Sequence, residues 1–212
     1  MPRVVVSKLL ASSYRPVREW DRVAACLECL TAGLPVHFEK EDKISHPASV
    51  VLDTMIDRME AIAPFLPNVE RIDTLEKTRR RNGRIFIVRR WQGASDSIPR
   101  ALQPFVSKDW LAWIDSALWV PREYKVEWTL STKLGHLYEC SGTNYFEPYP
   151  HEEATSTRIR VTGDLQVYPD RLPGIPRIFG ARLAPAVESF VVALITPNLT
   201  EVAKGLQGYF DQ

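Results

Sequence analysis

The chain has 212 residues, of which 45% are apolar and 25% are charged, which is the composition of an ordinary globular protein. Its 27 basic and 26 acidic residues leave a net charge of +1, which excludes a global field that would recruit nucleic acid or an anionic membrane. Three cysteines exclude a disulfide scaffold, and every apolar run falls far short of the ~20 residues that span a bilayer.

Residues 1–35 differ in composition from the rest and are predicted to form an N-terminal extension. Residues 1–18 contain arginine, lysine and serine but no acid, which is typical of an organellar transit peptide. The alternative is a surface extension of a cytoplasmic protein. Apolar residues then recur at near-helical spacing and predict an amphipathic helix that packs on the domain or on protein partners: Trp20, Val23, Ala24, Leu27 and Leu30.

The compact domain is predicted to cover residues 36–212, beginning with a strand that includes Phe38 and Ile44. Pro47 marks the start of a helix, because proline is favoured in the first helical turn. The buried stripe of this helix is predicted to be Val50, Val51, Thr54 and Met55. A second short helical turn is expected around Ile62 and Phe65, so that two small helices follow the first strand.

Asn82-Gly83 predicts a β-hairpin between strands 69–80 and 84–92. A two-residue type I′ turn needs positive φ at both central residues, and this pair tolerates it best. The turn is crowded with arginines, which either form a solvated tip or contact a phosphate or lipid headgroup: Arg79, Arg80, Arg81 and Arg84.

Glycine and proline interrupt the strand pattern between Gly93 and Ser107, and this segment is a candidate lid because such residues provide hinges. Its apolar residues are predicted to close the mouth of a cavity and to touch a membrane transiently: Ile98, Leu102 and Phe105. Strands are then predicted at 110–120, 124–131, 137–146 and 155–168, with alternating apolar and polar residues that give one buried and one wet face.

The apolar period changes to about 3.6 near the C-terminus, which predicts one long helix over residues 174–210, bent at Pro197. The expected fold is therefore α+β: a curved antiparallel sheet of about 6–7 strands that grips this helix. Such a sheet and one helix leave space between them. The predicted lining, which would equally suit a filled core, is Ile87, Arg89, Trp91, Trp128, Tyr138, Asn144, Phe190, Val191 and Leu194, together with either Trp113 or Trp119.

In element order, and in the final helix that follows Leu172-Pro173-Gly174, residues 37–210 resemble the START-like helix-grip (SRPBCC) superfamily of hydrophobic-ligand carriers and cyclases. Four segments also resemble the PRELI and MSF1 group of phospholipid transfer proteins and its bacterial relatives: residues 84–90, Ile98-Pro99, residues 115–121 and Asn144-Tyr145-Phe146. The resemblance implies a phospholipid ligand, with Arg89 at its phosphate, and a mitochondrial location.

Candidate chemistry is sparse. Cys26 and Cys29 lack the further ligands of a complete metal site, although His37 or His46 could join them, and His136 with Cys140 lacks the third group of a nucleophilic site. We therefore assign no catalytic residue, metal or cofactor. A cyclase-like enzyme remains an alternative, with polar candidates in the cavity that are Arg89, Tyr138, Asn144 and Arg160.

The leading functional hypothesis is non-catalytic binding or transfer of a lipid or another apolar small molecule. A second alternative is an accessory subunit of a larger assembly, such as one at the mitochondrial membrane, in which residues 1–35 bind protein neighbours. Nucleic acid is not an expected partner.

Overall fold

The computed structural model describes residues 36–94, 108–132, 135–148, 155–168, 171, 185–186, 191–192 and 201–212. The predictions for the N-terminal extension, for the lid residues Ile98, Leu102 and Phe105, and for Phe190 and Leu194 lie outside these described residues. In the described part of the chain, no helix is both long enough and apolar enough to cross a membrane.

Seven strands in the described part of the chain form one antiparallel sheet. They are β1 (Val36–Ile44), β2 (Val69–Arg79), β3 (Ile85–Gly93), β4 (Ala112–Val120), β5 (Lys125–Thr132), β6 (Gly135–Pro148) and β7 (Thr157–Val167). Their order across the sheet is β1-β7-β6-β5-β4-β3-β2, so consecutive strands from β2 to β7 are neighbours and β1 adds beside β7. The predicted α+β fold with a curved antiparallel sheet is confirmed.

Strict alternation of burial divides the sheet into two faces. On β5, Val126, Trp128 and Leu130 are buried, while Glu127 and Thr129 are exposed. The predicted wet and buried faces of this strand are therefore confirmed. The face that carries the buried residues is called the inner face, and helices pack against it.

The helices after β1 are α1 (Ala48–Asp57) and α2 (Met59–Ile62), followed by a 3-10 turn (Ala63–Phe65), as predicted. The buried stripe of α1 lies one residue further along the chain than predicted, and Val50, which was predicted to be buried, is 42% exposed. The buried residues pair at i, i+4 spacing, which places them on one side of the helix. They are Val51, Leu52, Met55 and Ile56.

The hairpin between β2 and β3 is present, but the predicted type I′ turn is wrong. Gly83 has a positive φ of 79°, whereas Asn82 does not. The loop has three residues, closed by hydrogen bonds from Arg80 N to Arg84 O (2.8 Å) and from Gly83 N to Arg80 O (3.0 Å). The Asn82 side chain accepts a hydrogen bond from Arg84 N (3.1 Å). This is the three-residue type of hairpin loop, in which a turn is followed by a glycine in the left-handed region. Asparagine suits this loop because its side-chain oxygen can accept a backbone hydrogen bond.

The C-terminal helix is described in pieces: residues 185–186 and 191–192 are helical, and α3 covers Val202–Phe210. The bend predicted at Pro197 lies outside the described residues. The last helix packs closely on the 3-10 turn, since a Cβ added to Gly205 would lie 2.6 Å from Leu66 Cδ2. Phe210 stacks on His46 with ring centroids 4.1 Å apart. The end of the chain is thus fixed against the beginning of the domain.

Two glycines shape the middle of the inner face. Gly142 and Gly163 are opposite each other on β6 and β7, with Trp128 opposite the first and Phe38 opposite the second. Because neither glycine has a side chain, the two rings lie over them and stack on each other with centroids 6.4 Å apart. Four strands are joined by this contact.

Replacing Gly142 with alanine should therefore destabilise the domain by about 2–3 kcal/mol, which is the upper range for overpacking a core. The new Cβ would overlap the Thr162 carbonyl oxygen and lie 2.5 Å from Trp128 Cζ2. Urea denaturation measures this change. The control is Ser141→Ala on the exposed face, which should stay within about 0.5 kcal/mol of the wild type. Equal stabilities for both variants would contradict the account.

Candidate functional site

A small cavity lies between the inner face of the sheet and the helices. It encloses about 20 Å³, which is room for one water molecule. The sheet supplies most of the wall, and Met55 of α1, Met59 of α2 and Val202 of α3 supply the other side. Its described lining residues are Met55, Met59, Arg89, Trp91, Asp115, Ala117, Trp119, Val126, Trp128, Asn144 and Val202.

Arg89 is a buried cation in this wall, with 2% of its surface exposed. Its Nη2 donates hydrogen bonds to Met55 O (2.8 Å) and Ile56 O (2.9 Å), in the last turn of α1. Carbonyls at a helix C-terminus lack partners within the helix and carry partial negative charge, so a cation there is stabilising. The side chain predicted to meet a phosphate is thus engaged with the end of α1.

Asp115 is opposite Arg89 on the neighbouring strand β4. Burial raises the pKa of the Asp115 carboxyl to about 6, although the charge of Arg89 and the nearby Trp91 indole both lower it. Burial likewise lowers the pKa of Arg89, while Asp115 raises it. Arginine remains protonated in proteins, so the pair holds a fixed cation beside a carboxyl that titrates near neutral pH.

Four buried polar atoms in the cavity wall complete no hydrogen bond of good geometry in the described structure: Arg89 Nε, Trp91 Nε1, Trp119 Nε1 and Asp115 Oδ1. Of these, the Trp91 indole N–H still acts on the Asp115 carboxyl, whose pKa it lowers. Trp128 provides a contrast, because its Nε1 donates to Asn144 Oδ1 at 2.7 Å. Most buried polar groups in proteins are paired, so four unpaired atoms around one cavity leave its wall incompletely satisfied.

Several predicted site residues meet at this cavity and others do not. Arg89, Trp91, Trp128 and Asn144 line it. Ile87 and Val191 are fully buried in the core without lining the cavity. Tyr138 is also buried away from it, and its hydroxyl has no hydrogen-bond partner in the described structure. Burial raises the pKa of that hydroxyl.

The other chemical candidates lie elsewhere. Arg160 is on the outer face, near Glu39 (3.5 Å) and over the Tyr145 ring (4.6 Å). Cys140 is buried, and burial raises the pKa of its thiol to about 12, which opposes the thiolate that a nucleophile requires. Cys26 and Cys29 lie outside the described residues, within which no group of three potential metal ligands occurs.

Six lining residues were not predicted as site residues: Met55, Met59, Asp115, Ala117, Val126 and Val202. The sequence did contain a signal for Asp115, because alternation along β4 places it on the same face as Trp113, Ala117 and Trp119. An acid among buried positions, beside a strand with a buried arginine, indicates an internal polar pair. The methionines gave no such signal, since they fit any apolar helix face.

No family model matches this sequence, and neither does any curated protein. Solved structures do match. The Zhui aromatase/cyclase from Streptomyces sp. R1128 aligns with a TM-score of 0.56 and 16% identity, covering 84% of this chain and 94% of that one. A protein from Thermus thermophilus has a TM-score of 0.52 and 21% identity, with 82% and 95% covered.

The di-domain ARO/CYC BexL from the BE-7585A biosynthetic pathway aligns with a TM-score of 0.56 and 19% identity, covering 86% of this chain and 53% of that one. At such identities the likeness concerns the fold and not the activity. The predicted narrower likeness to the PRELI and MSF1 group is not seen among these structures. The chain has the helix-grip fold of these structures, in which a curved antiparallel sheet packs against a C-terminal helix.

The raised pKa of Asp115 predicts a specific pH dependence of stability. The unfolded chain releases this proton near pH 4, whereas the folded protein retains it to about pH 6. The resulting stabilisation is fully present below about pH 4 and is lost as the pH rises through about 6, by about 3 kcal/mol in total. Urea denaturation of the wild type and of Asp115→Asn should show this fall only in the wild type. Parallel pH profiles would contradict the assignment.

Proposed function

We propose that the protein binds a neutral, largely apolar small molecule that carries a hydrogen-bonding group, between the sheet and the helices. The observation that supports this proposal is a set of unpaired polar atoms in a wall formed mainly by aromatic and apolar side chains: Arg89 Nε, Trp91 Nε1, Trp119 Nε1 and Asp115 Oδ1. Apolar walls with a few convergent polar groups are typical of small-molecule sites.

The unpaired atoms define the polar group that the ligand should carry. Both indole nitrogens are donors, and the ionised Asp115 carboxylate is an acceptor. A ligand hydroxyl can accept from an indole N–H and donate to the carboxylate at once, whereas a carbonyl uses only the indole or the protonated carboxyl. Phenolic and hydroxyl-bearing aromatic molecules therefore fit best, because their rings also match the tryptophan walls.

The electrostatics favour a neutral ligand over a phosphate. The Nη2 of Arg89 already donates to two carbonyls of α1, and although its Nε is unpaired, the guanidinium faces Asp115 across the strand pair. A phosphate brought to this arginine would approach the Asp115 carboxylate, and the repulsion of like charges in a buried site is costly. Transfer of a phospholipid, the function predicted from the resemblance, would require its headgroup to lie away from Arg89.

The cavity must enlarge to admit such a ligand, because it now encloses about 20 Å³. Met55 and Met59 form the wall that can yield most readily, since methionine side chains are unbranched and adopt many rotamers. The tryptophans opposite lie on paired strands. We therefore expect ligand binding to displace the methionine side of the cavity.

Replacing Ala117 with leucine should abolish ligand binding, because the added atoms fill the cavity from the rigid side. The probe is 2-naphthol, titrated by calorimetry. The matched control is Ser116→Leu, at the adjacent position on the outer face of the same strand. Since Ala117→Leu could also unfold the domain, Trp119→Phe is the second variant, and its lost donor should weaken binding about 3–10-fold.

Failure of the wild type to bind 2-naphthol would contradict the proposal, as would unchanged affinity in both Ala117→Leu and Trp119→Phe. Binding of a lysophospholipid in preference to 2-naphthol would contradict the neutral ligand specifically.

A second candidate function is a cyclase-like reaction, and it is favoured by the Asp115 carboxyl with its pKa raised to about 6. A group that titrates near the working pH can act as a general acid and base. Two of the similar structures are aromatase/cyclases by name. In this reaction Asp115 would exchange a proton with a substrate carbonyl while Arg89 stabilises the ionised carboxylate.

The cyclase function predicts that Asp115→Asn retains binding of an aromatic product but loses turnover of a poly-β-ketone substrate by about 10²–10⁴-fold. Product formation measured by liquid chromatography tests this. Equal turnover in Asp115→Asn and the wild type would exclude Asp115 as the acid and base.

The accessory-subunit hypothesis depends on residues 1–35, outside the described residues, and remains a prediction.

A further inference from the structure

Two turns at one end of the sheet bring arginines together. The β2–β3 turn carries Arg80, Arg81 and Arg84, and the pairing of Ile85 with Trp119 places it beside the β4–β5 connection. The distance from an ideal Cβ on Gly83 to Arg122 Nε is 3.9 Å, so the two turns are in contact. We call this cluster the basic tip; its members are Arg79, Arg80, Arg81, Arg84 and Arg122.

The basic tip lacks the ion pairs that most other basic residues of the described chain make. None of its five arginines has a carboxylate within 4.0 Å among the described residues. Elsewhere in the described chain, Arg58 and Arg90 also lack such a partner, but seven basic residues have one: Lys40, Arg71, Lys77, Lys125, Arg158, Arg160 and Lys204. The nearby Glu123 and Glu127 pair with Lys125. A chain of net charge +1 therefore carries a local excess of positive charge.

An exposed aromatic residue accompanies these arginines. Tyr124 follows directly after the turn that carries Arg122, and 42% of its surface is exposed. Its φ of 47° lies in the left-handed region, which costs a non-glycine residue conformational energy. Tyrosine is enriched at the interface between membrane and water, where its ring lies among the headgroups.

We propose that the basic tip and Tyr124 dock the protein on an anionic lipid bilayer. Basic residues are attracted to acidic headgroups, and arginine binds phosphate oxygens through paired N–H groups. The attraction is local, so it operates despite the near-neutral chain. Docking is a property separate from the proposed binding of a small ligand. It would bring the cavity next to a bilayer, into which an apolar molecule partitions.

A flat bilayer fits the tip better than a nucleic acid does. Proteins that bind single strands provide a charged groove with several aromatic rings on which bases stack. The described basic tip presents two adjacent turns and one exposed ring, Tyr124. Its arginines line neither the cavity under the helices nor the groove on the outer face of the sheet around Phe86 and Leu118.

The test is cosedimentation of the full chain with vesicles of phosphatidylcholine alone or mixed equally with phosphatidylserine. Wild-type protein should bind the mixed vesicles at low salt, and raising the salt to about 0.5 M should release it, since charge attraction is screened. Each basic residue near an acidic surface strengthens binding about fivefold. The triple variant Arg79→Gln, Arg81→Gln, Arg122→Gln should therefore bind about a hundredfold more weakly.

The matched control removes the same charge from paired positions, with Arg71→Gln, Arg158→Gln and Lys204→Gln, and should retain binding within a few-fold. Thermal melting establishes that both variants are folded. The proposal is overturned if the wild type does not bind the mixed vesicles, if both triple variants lose binding equally, or if polyuridylate RNA competes the protein off the vesicles.

Discussion

The structure depends most on the buried guanidinium of Arg89. It joins three elements at once, because it lies on β3, donates to the carbonyls that end α1, and faces Asp115 on β4. A buried cation is tolerated only where acceptors and opposite charge surround it, so its position fixes how α1 lies on the sheet. The methionine wall of the cavity follows from that placement, since Met55 is itself one of the residues whose carbonyl Arg89 binds.

The same arrangement explains why the cavity lining is mostly apolar but carries polar atoms at a few positions. The Nη2 of Arg89 donates to the end of α1, while Arg89 Nε and Asp115 Oδ1 complete no hydrogen bond. Trp91 and Trp119 add unpaired donors, whereas Trp128 is satisfied by Asn144. Most polar atoms of a filled core are paired or replaced with apolar groups. Trp113 and Tyr138 carry single unpaired atoms elsewhere in this core, whereas four such atoms line this one cavity. The pattern favours a site whose polar complement is supplied by a bound molecule, and the small volume means that binding and displacement of the wall are coupled.

Much of the fold could be predicted from sequence, because alternation and helical spacing are properties of neighbouring residues. The strands and the two short helices were predicted in this way. Details that depend on tertiary contacts were not. The prediction that Val50 is buried was wrong, because the same apolar pattern also fits a helix turned by one residue. The prediction of a type I′ turn was wrong, because a three-residue loop also needs a glycine at position 83. The contact of Arg89 with α1 could not be predicted, because local sequence patterns do not indicate that α1 ends beside β3.

The basic tip and the cavity make a consistent pair, since a protein that carries an apolar molecule benefits from contact with the phase in which that molecule dissolves. The central claim nevertheless concerns the cavity. The most direct measurement is the electron density of crystals grown with 2-naphthol. The account predicts a naphthol ring between the tryptophans and the displaced methionines, with its hydroxyl within hydrogen-bond distance of Asp115 and of the Trp91 or Trp119 indole. A cavity that holds one ordered water, with Met55 and Met59 unmoved, would contradict it.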